Sequence, residues 1–428
     1  MGLGLLGRGV GDAEFLAQCG AQIIVTDKKT ETELTESVAK LKKYPNVAFH
    51  LGGHNIADFT DTDLVMKAGG VSLDSPEIAA ARKAGVPVVM STALFAKYAR
   101  EAGATIVGVT GTRGKTTVAH MMYRSLIRAN KRTVLGGNVR GVSTLAMLPQ
   151  VKTGDIAVLE LDSWQLQGFG ELKISPHIAV FTNLMPDHLN YYSSEDAYFS
   201  DKANIFRFQQ NQHGDALLVG RSVYEQVRKA KPPVEPVVPQ NIPDEWTLKV
   251  VGKHNRENAS FAATALRALD LSDNEIKTGL ESFEGVEGRL QFVREVNGIK
   301  IYNDNNASTP EATIAALRAL KGAGALTLIV GGTDKHVALD GLAREIDASV
   351  TALVLFAGSG TEKLKTLLRT PYVEAGSLDD ALAAAVSATP EGGTVLFSPA
   401  FASFGPFVNY YDRNDKFLEV VRQMGGVA

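Results

Sequence analysis

The chain has 428 residues, of which 45% are hydrophobic and 21% charged, with a net charge of −3. That length exceeds one compact core and implies two or three domains, while the balance excludes a disordered chain. It also excludes a generally basic surface, so neither nucleic acid nor a membrane is expected as a partner. The single cysteine, Cys19, excludes a disulfide framework and a cysteine-based zinc site. No apolar run approaches the ~20 residues of a bilayer span and no signal peptide is evident, so a cytoplasmic location is expected.

Strand-like and helix-like runs alternate from end to end. Gly2-Leu3-Gly4-Leu5-Leu6-Gly7 opens the chain as a G-x-G-x-x-G turn. Such glycines let backbone approach a pyrophosphate at a helix N-terminus. Almost no strand precedes it: either the start is truncated or misannotated, or the first strand is a stub. A strand over residues 23–26 leads into Asp27-Lys28-Lys29. That aspartate suits a ribose or base and the lysines suit phosphate; a tight turn with solvated charges is the other reading. Strands at 63–66 and 87–90 with a helical run at 77–84 between them give βαβ units and a parallel sheet. The pattern restarts at 105–109 and continues through 156–159 and 177–181. Residues 231–243 form a proline-rich excursion. It restarts again at 299–302, then 326–330, 352–356 and 394–397. The fold class is therefore α/β with three successive domains. A Rossmann-like N-terminal domain covers 1–96, a central P-loop ATPase-like domain 97–286 and a C-terminal Rossmann-like domain 287–428.

Gly108-Val109-Thr110-Gly111-Thr112-Arg113-Gly114-Lys115-Thr116-Thr117 follows a strand and precedes a helical run. Loop amides in that setting cradle phosphates, a lysine adds a point charge, and a threonine hydroxyl can meet Mg²⁺. The general P-loop has glycine where Val109 stands. An ATP site is the reading. Glu160 closes one neighbouring strand and Asp187-His188 follows another, at carboxyl ends where open α/β sheets bind ligands. With Thr116 they could hold Mg²⁺ against phosphate oxygens. Lys202, by composition alone, is a solvated helix lysine.

Taken together these residues resemble the Mur ligase family. The resemblance rests on Gly111-Thr112-x-Gly114-Lys115-Thr116-Thr117, Leu159-Glu160-Leu161-Asp162-Ser163-x-Gln165-Leu166 and Phe181-Thr182-Asn183-Leu184-x-x-Asp187-His188-Leu189. It continues in Gly252-Lys253-His254-Asn255-x-x-Asn258, Arg289, Tyr302-Asn303-Asp304-Asn305 and Ser398-Pro399-Ala400-x-Ala402-Ser403. The Gly-rich first domain and the tail 398–410 are similar to the D-glutamate-adding type. The resemblance implies an ATP-dependent amide ligase that joins D-glutamate to UDP-N-acetylmuramoyl-L-alanine through an acyl phosphate, in peptidoglycan precursor synthesis. It implies ATP contacts at Gly111, Thr112, Arg113, Gly114, Lys115, Thr116, Thr117, Asn258, Arg289 and Asp304. It implies UDP-sugar contacts at Gly4, Leu5, Leu6, Asp27, Lys28 and Asn138, and amino-acid contacts at Lys335, Ser403 and Tyr410. Lys115, Glu160, His188 and Lys202 would be catalytic. Two Mg²⁺ sites would draw on Thr116, Glu160, His188 and Lys202, the last as a carbamate, and a monomer is expected. Departures from the family pattern are Arg113 for Asn, Gly288 for His, Asn306 for Lys, Ser308 for Thr, and Lys67-Ala68-Gly69-Gly70 for Ser-Pro-Gly. They leave a related amide ligase with another amino-acid acceptor as the alternative. A non-catalytic nucleotide-binding protein is disfavoured by the presence of Lys115, Thr116, Glu160 and His188.

Overall fold

The computed structural model describes residues 1–424, apart from 5–6, 142, 186–190, 193, 212–213, 323, 335–336 and 404–406. The chain divides into two compact units: Met1–Pro243 with Asn258–Leu280, and Asp244–Glu257 with Glu281–Ala428. The α/β expectation is met in both.

The first unit opens with two short parallel strand pairs, Ile23–Asp27 with Val47–Leu51 and Val65–Met66 with Val88–Val89. The backbone of residues 1–2 lies between the pairs. The Gly2 amide donates to Thr26 O at 2.9 Å, and the Ala68 amide donates to Met1 O at 3.0 Å. These bonds place residues 1–2 beside both pairs, directly before the glycine turn. The helix Arg8–Gln18 starts directly after Gly7.

The larger sheet of this unit has six parallel strands. Their order is Pro236–Val237, Ala216–Val219, Ile178–Phe181, Thr105–Thr110, Ile156–Glu160, Thr133–Gly137. Val107, Val109, Val158 and Val180 have no exposed surface, as a sheet covered on both faces demands. Thr105–Thr110 is central, and the chain leaves it first toward one edge and later toward the other. That reversal opens a crevice at the strand's carboxyl end. The helix Lys115–Arg128 then buries Val118, Met121, Met122, Ser125 and Leu126, one stripe at helical spacing.

The second unit is one sheet in the order Gln291–Val296, Ile299–Asn303, Thr394–Phe397, Leu326–Gly331, Ala352–Phe356, Tyr372–Ala375. Only its first strand is antiparallel to its neighbour. Stacked Phe397 and Phe417, with ring centroids 4.4 Å apart, seat the final helix Tyr410–Gln423 on this sheet.

Candidate active site

The loop between Thr105–Thr110 and Lys115–Arg128 is held from one side by the segment after Ile178–Phe181. Thr112 N donates to Asn183 O (2.9 Å), Arg113 N to Asn183 Oδ1 (2.9 Å), and the Thr182 hydroxyl to Arg113 O (2.6 Å). Thr112 Oγ1 exchanges hydrogen bonds with the backbone of Met185. Gly114, at φ 85°, is the residue before the helix, and a Cβ there would lie 2.5 Å from Asn258 Oδ1. Only glycine lets the loop turn and Asn258 approach it at once. Thr116 and Thr117 follow in the first helical turn, where backbone amides point outward without intrahelical partners.

Two lysines converge on the loop's carbonyls. Lys115 Nζ donates to Gly111 O at 2.9 Å and Thr112 O at 3.0 Å. Lys202 Nζ donates to Gly111 O at 3.0 Å and to the Thr110 hydroxyl at 3.2 Å, over the ring of Tyr198. Lys202 is 1% exposed, so it is not the solvated helix lysine that its local composition suggested. The helix Glu195–Ala203, capped by Ser194, carries it inward.

Glu160 ends the strand on the other side of Thr105–Thr110 and is buried, and its carbonyl accepts from Asn138 N at 2.7 Å. Asn138 Oδ1 in turn accepts from Arg8 Nη2 at 2.8 Å. Arg8 begins the helix after the glycine turn, so Asn138 links that turn to the phosphate-loop sheet. Within the turn, Gly4 N donates to Asp27 Oδ2 at 3.2 Å, and Lys29 N donates to Asp27 Oδ1 at 2.9 Å. Asp27 thus fastens its own turn, and Lys28 beside it is exposed. Leu5, Leu6, His188 and Lys335 lie outside the described residues.

The remaining predicted residues belong to the second unit. Arg289 is exposed. Asp304 Oδ1 accepts from Leu290 N (2.9 Å), and its Oδ2 accepts from the Ser398 hydroxyl (2.7 Å). Thr333 and Ala402 exchange backbone hydrogen bonds of 3.0 and 3.2 Å, which brings the loop after Leu326–Gly331 beside buried Ser403. Tyr410 opens the final helix, and its carbonyl accepts from Asn305 Nδ2 at 2.8 Å. Gly288, at φ 70°, faces Asn306: a Cβ there would lie 3.1 Å from both Asn306 Nδ2 and Asn414 Oδ1. Two departures from the family pattern are therefore neighbours in space.

Two buried cations escaped the sequence reading as site elements. Arg413 is 2% exposed and donates to Asn305 Oδ1, Asn305 O and Phe401 O. Burial lowers its pKa to about 10. A usable signal was its spacing, one turn before Phe417 on the apolar stripe of the last helix. The other is Lys67, whose pKa burial lowers to about 8. No group of three or more His, Cys, Asp or Glu that could hold a metal occurs among the described residues, and no helix among them is long and apolar enough to cross a membrane.

Residues 1–90 match the family model of the Mur ligase MurD-like N-terminal domain, 109–233 the Mur ligase middle domain, and 288–401 the Mur ligase glutamate ligase domain. The chain is 35% identical to the UDP-N-acetylmuramoylalanine--D-glutamate ligase of Roseiflexus sp. (strain RS-1), over 98% of this chain and 97% of that protein. It is 32% identical to the protein of the same name from Borreliella afzelii (strain PKo), over 99% and 97%. Among solved structures it is similar to UDP-N-acetylmuramate-alanine ligase from Thermotoga maritima, with a TM-score of 0.62 at 20% identity over 99% and 98% of the two chains. It is also similar to the MurF ligase of Thermotoga maritima in complex with ADP, with a TM-score of 0.60 at 16% identity over 94% of each. A likeness at that identity speaks for the fold, while the full-length relatives speak for more. With three domain models in sequence and relatives above 30% identity along its whole length, the chain belongs to the Mur ligase family and carries a MurD-like N-terminal domain.

Proposed function

We propose that the protein is the ATP-dependent ligase that joins D-glutamate to UDP-N-acetylmuramoyl-L-alanine in the cytoplasm, acting as a monomer. The observation that carries this reading is the braced phosphate loop, with Lys115 and Lys202 converging on it, in a chain collinear with D-glutamate ligases. Domains 1–96, 97–286 and 287–428 would take the nucleotide-sugar, ATP and the amino acid respectively.

The donor carboxylate attacks the γ-phosphate, ADP leaves, and the amine of D-glutamate displaces phosphate from the acyl phosphate. Phosphoryl transfer asks mainly for positioning and charge neutralisation. In this reading the amides of 111–117 and Lys115 hold the phosphates, and Asn258, Arg289 and Asp304 hold the nucleoside. Gly4, Leu5, Leu6, Asp27, Lys28 and Asn138 hold the nucleotide-sugar, with Arg8 orienting Asn138. Lys335, Ser403 and the backbone at Tyr410 hold D-glutamate.

Thr116, Glu160, His188 and Lys202 would hold Mg²⁺, which when bound offsets phosphate charge. Thr116 supplies a helix-start hydroxyl and Glu160 a strand-end carboxylate, while Lys202, whose Nζ donates to a phosphate-loop carbonyl, would become a donor only as a carbamate. A carbamate on Lys202 would keep one N–H for Gly111 O and add two oxygens that share one negative charge, the hard donors Mg²⁺ favours. The test is phosphate release from ATP with UDP-N-acetylmuramoyl-L-alanine and a panel of amino acids. Turnover with D-glutamate alone supports the reading. A preference for another amino acid selects the alternative acceptor, which the departures at Gly288, Asn306 and Ser308 motivate.

A further inference from the structure

A buried lysine costs stability unless its ammonium is paired or discharged. Lys67, 3% exposed, follows the strand Val65–Met66 of the first domain. Its Nζ donates to Val71 O and to Gln167 Oε1, both at 3.0 Å. The other end of that amide, Gln167 Nε2, donates to Asp201 Oδ2 at 2.8 Å. Asp201 Oδ2 also accepts from the Tyr192 hydroxyl at 3.0 Å. Asp201 directly precedes Lys202, whose Nζ meets Gly111 O at 3.0 Å. The amide of Gln167 serves both neighbours in only one orientation, oxygen to the ammonium and nitrogen to the carboxylate. A directional chain of buried and half-buried hydrogen bonds therefore runs from the 67–71 loop to the helix that presents Lys202. Nothing in the ligase reading uses Lys67, Gln167 or Asp201.

We propose that Lys67, Gln167 and Asp201 are positioning residues for the ligase reaction, tying the nucleotide-sugar domain to the helix that sets Lys202 against the phosphate loop. The proposal rests on the functional reading above. Among the described residues, none of the three has a hydrogen bond to 110–114. They act by fixing where Lys202 stands, and misplacement by about 1 Å at such a site can cost about a hundredfold in rate.

The decisive pair of variants reverses donor and acceptor in the link between Gln167 and Asp201. Gln167→Glu keeps an acceptor for Lys67 but turns a carboxylate on Asp201. Adding Asp201→Asn supplies a donor to that new carboxylate. In the full-length protein, Gln167→Glu should lower kcat about tenfold and weaken ADP binding, measured calorimetrically with Mg²⁺, about threefold; the double variant should recover most of both. Lys67→Met and Gln167→Leu, which add no buried charge, should each lose kcat to a similar degree, and their combination should lose no more than either alone, since one cut severs the chain. The proposal is overturned if Asp201→Asn fails to rescue Gln167→Glu, if the losses of Lys67→Met and Gln167→Leu multiply, or if these singles match the parent. Should Gln167→Glu not fold, the Lys67→Met and Gln167→Leu pair decides. ADP affinity keeps the two readings apart: a parent protein without D-glutamate turnover, yet with this pattern of ADP affinities, fails the acceptor reading and upholds the chain.

Discussion

The phosphate loop and the carboxyl edge of the second unit's sheet are built on different principles. At the phosphate loop, backbone is what is held: amides and carbonyls of 110–113 are pinned by backbone and side-chain groups of 182–185, and two lysines converge on its carbonyls. At the second edge, side-chain amides do the work. Asn303 donates to Asn414, Asn414 to Glu287, Asn305 to the Tyr410 carbonyl, and Arg413 to Asn305. Asn303, Asn305 and Asn414 are all buried there. A backbone cradle constrains few residue types and so keeps a short, readable motif. An amide fabric distributes its constraint over residues far apart in sequence, so it leaves no short motif.

The largest expected effect tests the cradle. Lys115→Ala should lower turnover by about a thousandfold, because its charge is needed most as the γ-phosphoryl departs. Phosphate release under saturating substrates measures this. A variant that folds and keeps a tenth or more of the activity would move the phosphate site elsewhere.

A second test concerns buried charge in the first unit. Lys67 has its pKa lowered from 10.5 to about 8, chiefly by burial, with Asp201, Asp162 and Glu171 opposing and Arg82 adding. A lysine whose folded pKa lies below its unfolded value costs stability below the folded pKa, and that cost fades as pH rises toward the unfolded pKa. Between pH 8 and 10 the parent should therefore gain stability relative to Lys67→Met, by roughly 2–3 kcal/mol at full effect. Urea unfolding of both proteins at pH 7.5 and 10 gives the difference, and a pH-independent gap between them would show Lys67 titrating normally.

The third test is on the acceptor side. Lys335→Ala should raise KM for D-glutamate about 10- to 100-fold while leaving KM for ATP unchanged, the loss of one charge-assisted contact. Initial-rate kinetics with each substrate varied in turn separate the two. Equal rises in both constants would remove Lys335 from the amino-acid site.

This contrast also explains what could be read from the sequence. The three α/β stretches were legible because parallel strands buried on both faces leave apolar runs, as at 105–109 and 326–330. The phosphate loop was legible because few residues other than glycine fit at Gly114. Glu160 was legible by its place at a strand end. Lys202 was legible only by resemblance, since nothing in Asp201-Lys202-Ala203 announces that the helix turns it inward. Lys67 and Arg413 were missed for a related reason. Periodicity marks which face is buried, yet a lone cation on that face gains its meaning from partners 100 or more residues away, Gln167 for one and Asn305 for the other. The motif Asp162-Ser163-x-Gln165, carried by resemblance, has a local reason as well. Asp162 and Gln165 cap each other's backbone at the start of the helix Ser163–Leu172.

The smallest effect separates two reasons for one glycine. Gly288 stands at φ 70°, and a Cβ would meet Asn306 Nδ2 and Asn414 Oδ1 at 3.1 Å. Gly288→Ala thus carries a backbone cost of about 1 kcal/mol and a contact cost that depends on whether two amides can yield. Asn414 is held by Asn303 and Glu287 and has little room, while Asn306 is held by Glu287 O and by Asn305. Shortening Asn306 should release part of the contact and none of the backbone strain. The expected loss for Gly288→Ala is about 1–2 kcal/mol, and Gly288→Ala with Asn306→Ala should lose less than the two single losses added. Chemical denaturation of the four proteins measures the coupling. Strict additivity would mean that the two positions act independently. Coupling would mean that the glycine at 288 and the amide at 306 form one structural unit, so that a lysine placed at 306 alone would not create the acceptor edge that the family resemblance implies.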